Sequence, residues 1–382
     1  MKPIIVLGSG LAGYSVIREL RKLNTSVPIT LITRDSGDYY SKPMLSNAFA
    51  QGKDAASLII TPASAMAKQL DITLLAHAVI RTINRLDKKL DTSSGELEYD
   101  KLIMALGADP VRITLQGNAA DAVLSVNDLT DYTRFRDALA GVKSVAIMGG
   151  GLIGCEFAND LATAGFEVTV IDPARYPLAN LMSEEAGQQL LKPLTELGVT
   201  WRFGCAVKSV DSLATGYALT LTDGSNMQSD LVLSAVGLRP RLQLAREVGL
   251  AVNRGIVVDG KLRTSDESIY ALGDCAEYEH GVMPYVLPIM QSARTLAKVL
   301  NGEDATVNFP AMPVVVKTPS HPIALLPVAR DAIGDWQVLS SGAGIKMGFF
   351  DNQARMTGFV VTGEFAGERN EMVKKLAASW HD

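Results

Sequence analysis

The chain has 382 residues, a formal net charge of −5, and 20% charged against 47% hydrophobic residues. That length exceeds one ordinary core and points to two or three globular domains, and an acidic balance without a lysine- and arginine-rich stripe argues against nucleic acid as the main partner. Cys155, Cys205 and Cys275 are far apart in no C-x-x-C spacing and the histidines form no ligand pattern, so no structural metal, no disulfide framework and a reducing, cytoplasmic setting are expected.

The N-terminal MKPIIVLGSGLAG is apolar but broken by spaced glycines, and no run reaches the roughly 18 residues of a membrane helix. Pro3 to Leu7 is strand-like, and Gly8-Ser9-Gly10-Leu11-Ala12-Gly13 has the G-x-G-x-x-G spacing of a dinucleotide turn. An amphipathic helix to Leu23 and a strand over Pro28 to Thr33 follow. The acid expected at that strand's tip is displaced: the chain reads Thr33-Arg34-Asp35, so either Asp35 or the backbone takes a ribose contact. Gly37 to Leu45, GDYYSKPML, is a loop that either lines a site or is solvated surface. Ser57 to Leu70 reads as a helix, and Leu74 to Leu90 as strands with a hairpin at DKK.

Tyr99 to Pro110, YDKLIMALGADP, is echoed by Asp230 to Pro240, DLVLSAVGLRP: an acid, an apolar strand, Ala-x-Gly, then proline. Between them Val111 to Val142 contains a helix capped near Asn127 or Asp128. Ser144 to Met148 is a strand, Gly149-Gly150-Gly151-Leu152-Ile153-Gly154 repeats the glycine spacing, a helix runs to about Ala164, and Glu167 to Ile171 ends in Asp172, 18 residues past Gly154. A carboxylate there accepts from both ribose hydroxyls and repels a 2′-phosphate, which favours NADH over NADPH. Two units of one design, written in succession, imply two nucleotide sites.

Ser183 to Leu197 is helical with Gly198 as its stop, and Asp223-Gly224 marks a hairpin. Gly255 to Asp259 and Leu262 to Thr264 read as a strand pair. Ile269 to Ala276 is a strand ending in Gly273-Asp274, an aspartate placed either as a helix cap or at a ligand-binding strand end, with a helix over Pro284 to Leu300 beyond. From Phe309 the chain is proline-broken, with Lys317 beside a turn as an edge lysine or a site residue. Strands through Trp336 to Val361 and a helix over Glu364 to Trp380 complete it.

Gly8 to Gly13, Ala105-Leu106-Gly107, Gly149 to Gly154 with Glu156, Ala235-Val236-Gly237 and Gly273-Asp274 together resemble the FAD-dependent pyridine nucleotide-disulfide oxidoreductase superfamily over nearly the whole chain. The resemblance implies an α/β fold with two Rossmann-like domains of glutathione-reductase type and a small α+β C-terminal domain. It implies an FAD domain over 1–110 and 241–315, an NAD domain over 111–240 and an interface domain over 316–382. FAD contacts would fall on Gly8 to Gly13, Thr33, Arg34, Asp35, Ser41, Lys42, Pro43, Ala105, Gly107, Gly273, Asp274 and Lys317. NADH contacts would fall on Gly149, Gly151, Leu152, Ile153, Gly154, Glu156, Asp172, Val236 and Gly237. Asp274 would bond the ribityl chain, Glu156 would meet the nicotinamide carboxamide, and Lys42 and Lys317 would stabilise charge on the reduced flavin; Lys42, Glu156 and Lys317 are the catalytic candidates.

The chain lacks the cysteine pair or single cysteine that disulfide reductases and NADH peroxidases carry near Tyr40 to Ser46, so electrons must leave the flavin directly. SKPMLS, CEFANDL, SAVGLRPR, ALGDCAE and VKTP are similar to the rubredoxin reductase subgroup. That likeness implies NADH oxidation with single-electron delivery to rubredoxin, a small acidic iron protein, in support of an alkane hydroxylase or similar system. A ferredoxin reductase of an oxygenase system or a flavin NADH oxidase is the alternative. Docking would use basic residues, with Arg239, Arg241 and Arg330 as candidates, on a monomer or weak dimer.

Overall fold

Ile4–Leu7 and Ile29–Ile32 are four-residue apolar runs in which every side chain is buried, the pattern of strands covered on both faces. Ser144–Met148 and Leu231–Ser234 share it, apart from half-buried residues at one end of each. These strands seed two parallel sheets in a computed structural model that describes residues 2–329 and 331–379, without the side chains of 377–379. Met1, Arg330, Trp380 and His381 therefore lie outside the described residues.

The chain divides into two compact units, one built from Met1–Lys42, Ala56–Asp109 and Leu238–Pro310, the other from Pro43–Ala55, Pro110–Gly237 and Ala311–Asp382. In the first, a five-stranded sheet runs in the order Ile269–Ala271, Lys101–Met104, Ile4–Leu7, Ile29–Ile32, Thr73–Leu75, with every neighbouring pair parallel. Helix Leu11–Leu23 packs against helix Val286–Leu300, and one core joins both helices to the sheet. Ile80–Asn84, Lys89–Thr92 and Gly95–Glu98 form an antiparallel meander.

In the second unit the parallel sheet runs Val199–Phe203, Glu167–Asp172, Ser144–Met148, Leu231–Ser234. Helix Leu152–Thr163 crosses between its first two strands in sequence. An antiparallel five-stranded sheet, in the order Val314–Val316, Ile323–Leu326, Met356–Thr362, Ile345–Asp351, Gly334–Ser341, is backed by helix Arg369–Ser379 through Met372 and Leu376. Helix Glu184–Glu196, capped by the Ser183 hydroxyl, packs on two strands of this sheet.

Three expected elements differ. The helix expected from Ser57 begins only at Ala63, because Pro62 precedes it and restricts the residue before it to extended backbone. Ile59–Thr61 instead pairs with Tyr39–Tyr40. Ile256–Val257 pairs in parallel with Ala276–Glu277, not with 262–264, because the Asp259 carboxylate bonds the N–H groups of Lys261 and Arg263 and folds that stretch into a tight turn. The last helix starts with a 3-10 stretch over Gly363–Glu368. Among the described residues no helix is long and apolar enough to cross a membrane.

Candidate dinucleotide sites

The first glycine turn hangs from Ile4–Leu7. Gly8 donates to the Ile32 carbonyl at 2.8 Å and adopts φ +112°, and Ala105 donates to Leu7 at 2.9 Å, which fastens the neighbouring strand end beside the turn. A Cβ on Gly13 would stand 1.9 Å from the Gly8 carbonyl oxygen, so only glycine lets the helix come this close. A Cβ on Gly10, by contrast, would meet nothing within 4 Å. Gly10 is the helix N-cap, and no side chain caps the first turn. An open front with uncapped N–H groups fits a pyrophosphate.

Of the remaining candidates for this site, Thr33, Asp35, Ala105 and Gly273 touch the turn or its helix. Asp35 Oδ1 accepts from Ser9 Oγ at 2.8 Å, Thr33 Oγ1 at 2.6 Å and Gly37 N at 3.0 Å, while Arg34 is exposed. Ala12 fits against Gly273, where a Cβ would approach it to 2.8 Å. The half-buried Asp274 receives no hydrogen bond from the described residues, and burial raises its carboxyl above the ordinary range, an effect opposed by Lys42 and then Arg241. Such a carboxyl fits a hydroxyl partner. Lys42 is half-buried, next to Ser41, and opens a 3-10 helix over Lys42–Asn47 that contains Pro43. Gly107, at φ +71°, accepts from Arg241 N. Arg241 is no free surface cation: its guanidinium bonds Asp109 and the Leu106 carbonyl. Arg239 is exposed.

The second turn repeats the first with other side chains around it. Gly149 donates to Ile171 at 2.8 Å, Ala235 to Met148 at 2.8 Å, and a Cβ on Gly154 would stand 1.9 Å from the Gly149 oxygen. Gly151 is again an uncapped N-cap with open space in front, followed by Leu152 and the exposed Ile153. Asp172 accepts from Gly150 N and from Ala174 N, so the acid holds the glycine turn itself. Val236 is half-buried, and Gly237, at φ +113°, is exposed and accepts from Val111 N.

Glu156, one turn further along this helix, is fully buried. Lys317 donates to it twice, from N to Oε1 at 2.9 Å and from Nζ to Oε2 at 2.6 Å, and Ser46 Oγ donates to Oε2 at 2.5 Å. Asn159 Oδ1 accepts from Ser320 N, and the Asp160 carboxylate accepts from Phe49 N and Ala50 N. Burial pushes the Asp160 carboxyl up to about 6, against the two backbone donors and Arg136. The structure thus brings Glu156 and Lys317 together and adds four residues that sequence reasoning passed over: Ser46, Asn47, Asn159 and Asp160. Asn159 and Asp160 have a signal in CEFANDL, where Glu156, Asn159 and Asp160, spaced i, i+3, i+4 in an otherwise apolar helix, form one polar face that must find partners; Ser46 and Asn47 have none.

Two uncapped glycine turns, each with an acid at the end of the next strand, define a protein that binds two dinucleotides. The pyridine nucleotide-disulphide oxidoreductase family description matches residues 2–297, and that of a rubredoxin binding C-terminal domain matches residues 306–376. The chain is 45% identical to the rubredoxin-NAD(+) reductase of Alcanivorax borkumensis over 379 residues, covering 99% of each, and 41% identical to that of Acinetobacter baylyi over 384 residues, covering 98% of each. Among solved structures, the covalent putidaredoxin reductase–putidaredoxin complex is similar with a TM-score of 0.88 at 25% identity, over 98% of this chain and 93% of that one. The chain belongs to the pyridine nucleotide-disulphide oxidoreductase family. Its cofactors are accordingly FAD and NADH.

Proposed function

We propose that the chain is a rubredoxin reductase, in which bound FAD would supply two-electron acceptance from NADH and one-electron delivery to rubredoxin. The observation that carries this reading is the match of residues 306–376 to a rubredoxin binding C-terminal domain. Cys155, Cys205 and Cys275 are all free and buried, which agrees with electron exit that uses no thiol.

The residues divide the work. In the FAD part, assigned to 1–110 and 241–315, the first helix N-terminus at Gly10 and Leu11 receives the pyrophosphate. Asp35, positioned by Ser9 and Thr33, takes a ribose hydroxyl, Asp274 takes the ribityl chain, and Lys42 supplies positive charge at the reactive end. In the NADH part, 111–240, Gly151 to Gly154 hold the pyrophosphate, Asp172 selects against a 2′-phosphate, and Glu156 orients the nicotinamide amide with Lys317 neutralising its buried charge. Residues 316–382 act as the interface segment. A hydride donor held in one orientation gains several kcal/mol from pre-ordered entropy, roughly 7–11 in favourable cases, so orientation carries the chemistry without a general acid or base. We place the protein in the cytoplasm as a monomer or weak dimer, acting on an acidic iron protein and feeding a hydroxylase of the alkane type.

Stopped-flow mixing of NADH-reduced protein with oxidised rubredoxin tests the reading, with ferredoxin and oxygen as parallel acceptors. Rubredoxin should reoxidise the flavin at least tenfold faster than either; a faster ferredoxin reaction assigns the chain to oxygenase electron supply instead.

A further inference from the structure

The fully buried Glu156 sits in a closed circuit of hydrogen bonds. Ser46 Oγ and Lys317 Nζ meet on Oε2, Lys317 N holds Oε1, and Asn47 Nδ2 returns to the Lys317 carbonyl at 3.0 Å and to the Ser46 carbonyl at 2.8 Å. Ser46 and Asn47 are themselves buried. A serine in a helix ordinarily turns its hydroxyl back to a carbonyl one turn earlier. Here that acceptor, Pro43 O, is 3.5 Å away, and the hydroxyl is spent on the carboxylate at 2.5 Å. Lys317 N pins Oε1, but on Oε2 the Lys317 ammonium is carried by a long side chain that is 29% exposed, so it is a mobile donor there. A short hydroxyl fixed on a 3-10 helix gives Oε2 a rigid second donor.

We infer that Ser46 is a positioning residue, which fixes the Glu156 carboxylate in one orientation toward NADH. The inference rests on the reading of Glu156 as the nicotinamide-facing group. Ser46 touches neither dinucleotide in this account, and its effect runs through Glu156 alone.

The test uses the FAD-loaded enzyme and four variants: Ser46→Ala, Ser46→Thr, Glu156→Leu and the Ser46→Ala/Glu156→Leu double variant. Ser46→Ala should lower the limiting rate of flavin reduction by NADH roughly tenfold while the NADH dissociation constant changes less than twofold, since a hydrogen bond to a charged group is lost. Ser46→Thr keeps the hydroxyl and should recover most of the rate. In the Glu156→Leu background, Ser46→Ala should change the rate less than twofold, because the carboxylate it orients is gone. Equal loss in both backgrounds, or a loss confined to NADH affinity, overturns the inference. If Ser46→Ala fails to fold, Ser46→Cys, with a weak donor of similar size, takes its place with the same expectation. Denaturant unfolding of the FAD-loaded protein adds a readout independent of turnover: the midpoint should fall for Ser46→Ala alone and stay put when Glu156→Leu is already present. An unreactive wild-type enzyme would sink the functional reading, while this unfolding cycle would still judge the link between Ser46 and Glu156.

Discussion

Helices Leu11–Leu23 and Leu152–Thr163 begin from the same backbone and end in different surroundings. Positions 141 residues apart correspond, Gly8 with Gly149, Gly10 with Gly151 and Gly13 with Gly154, and the close approach of the third glycine to the first carbonyl is 1.9 Å in both. Past the third glycine they diverge. Ser15 stands where Glu156 does, and Glu19 where Asp160 does. The first helix keeps a solvated side carrying Lys22, Leu23 and the outer ends of Arg18 and Glu19, whereas the second is buried continuously from Gly154 to Ala162. Residues 46–50 and 317–320 cover it, drawn in by Glu156, Asn159 and Asp160. A repeated nucleotide cradle thus constrains only the backbone near the phosphates; beyond one turn, the buried polar groups on the second helix decide what packs there.

The largest expected effects probe what the two turns share. Ala at Gly13 or Gly154 forces a Cβ into a carbonyl oxygen, an overpacking cost of about 3 kcal/mol, the upper end of the usual range, at a position with no room to yield. Gly13→Ala should yield protein isolated without yellow colour, and Gly154→Ala a yellow protein whose reduction by NADH slows at least a hundredfold. Absorbance spectra and stopped-flow reduction check both. Loss of colour in Gly154→Ala with normal reduction in Gly13→Ala would reverse the assignment of the turns.

Next comes a difference that only the second helix should show. The Asp160 carboxyl titrates near 6 in the folded protein against an ordinary 3.8, so the folded state binds the extra proton first. Stability owed to Asp160 therefore rises as pH falls through about 6, levels off below 3.8, and is lost as pH climbs back. Denaturant titrations from pH 4 to 7 should show wild type losing about 2 kcal/mol relative to Asp160→Asn over that window. A pH-independent gap would mean that Phe49 N and Ala50 N already hold the carboxylate charged.

The strand-end acids sharpen the comparison further. All three donors to Asp35 fall on Oδ1, two of them hydroxyls, whereas Asp172 spends each oxygen on a backbone N–H. Asp35→Ala strips Ser9, Thr33 and Gly37 of an acceptor and should weaken FAD binding roughly tenfold, about 1.4 kcal/mol. Asp172→Ala removes the repulsion of a 2′-phosphate and should raise use of NADPH relative to NADH roughly tenfold. Flavin fluorescence titration and steady-state kinetics with both nucleotides read these out.

The legible parts of the molecule are those where a local rule has one solution. Gly13 and Gly154 are such positions; the cap of Leu129–Ala138 narrows only to Asn127 or Asp128, of which Asp128 takes it, and the helix read from Ser183 has that residue as its cap. The strand at Ile59–Thr61 is not legible because its apolar run is too short to show a period, and Pro62 alone marks where the helix after it can begin. The Ser46–Glu156 bond joins residues 110 apart, and that of Lys317 to Glu156 joins residues 161 apart. No spacing rule reaches so far. What the sequence did carry was the need for partners, in a polar face on an apolar helix.

The smallest effect closes the comparison at Glu19. It occupies the position of Asp160, yet its partner is Lys22 on the same helix at 2.7 Å, a lysine whose side chain is 65% exposed. A pair of that kind gains little, because water and salt screen the attraction and the lysine must be ordered to make it. Glu19→Gln should therefore shift stability by less than about 0.5 kcal/mol, as denaturant unfolding would show. If it moved stability as much as Asp160→Asn, burial would not be what separates the two helices, and the difference would have to lie in the helical position itself.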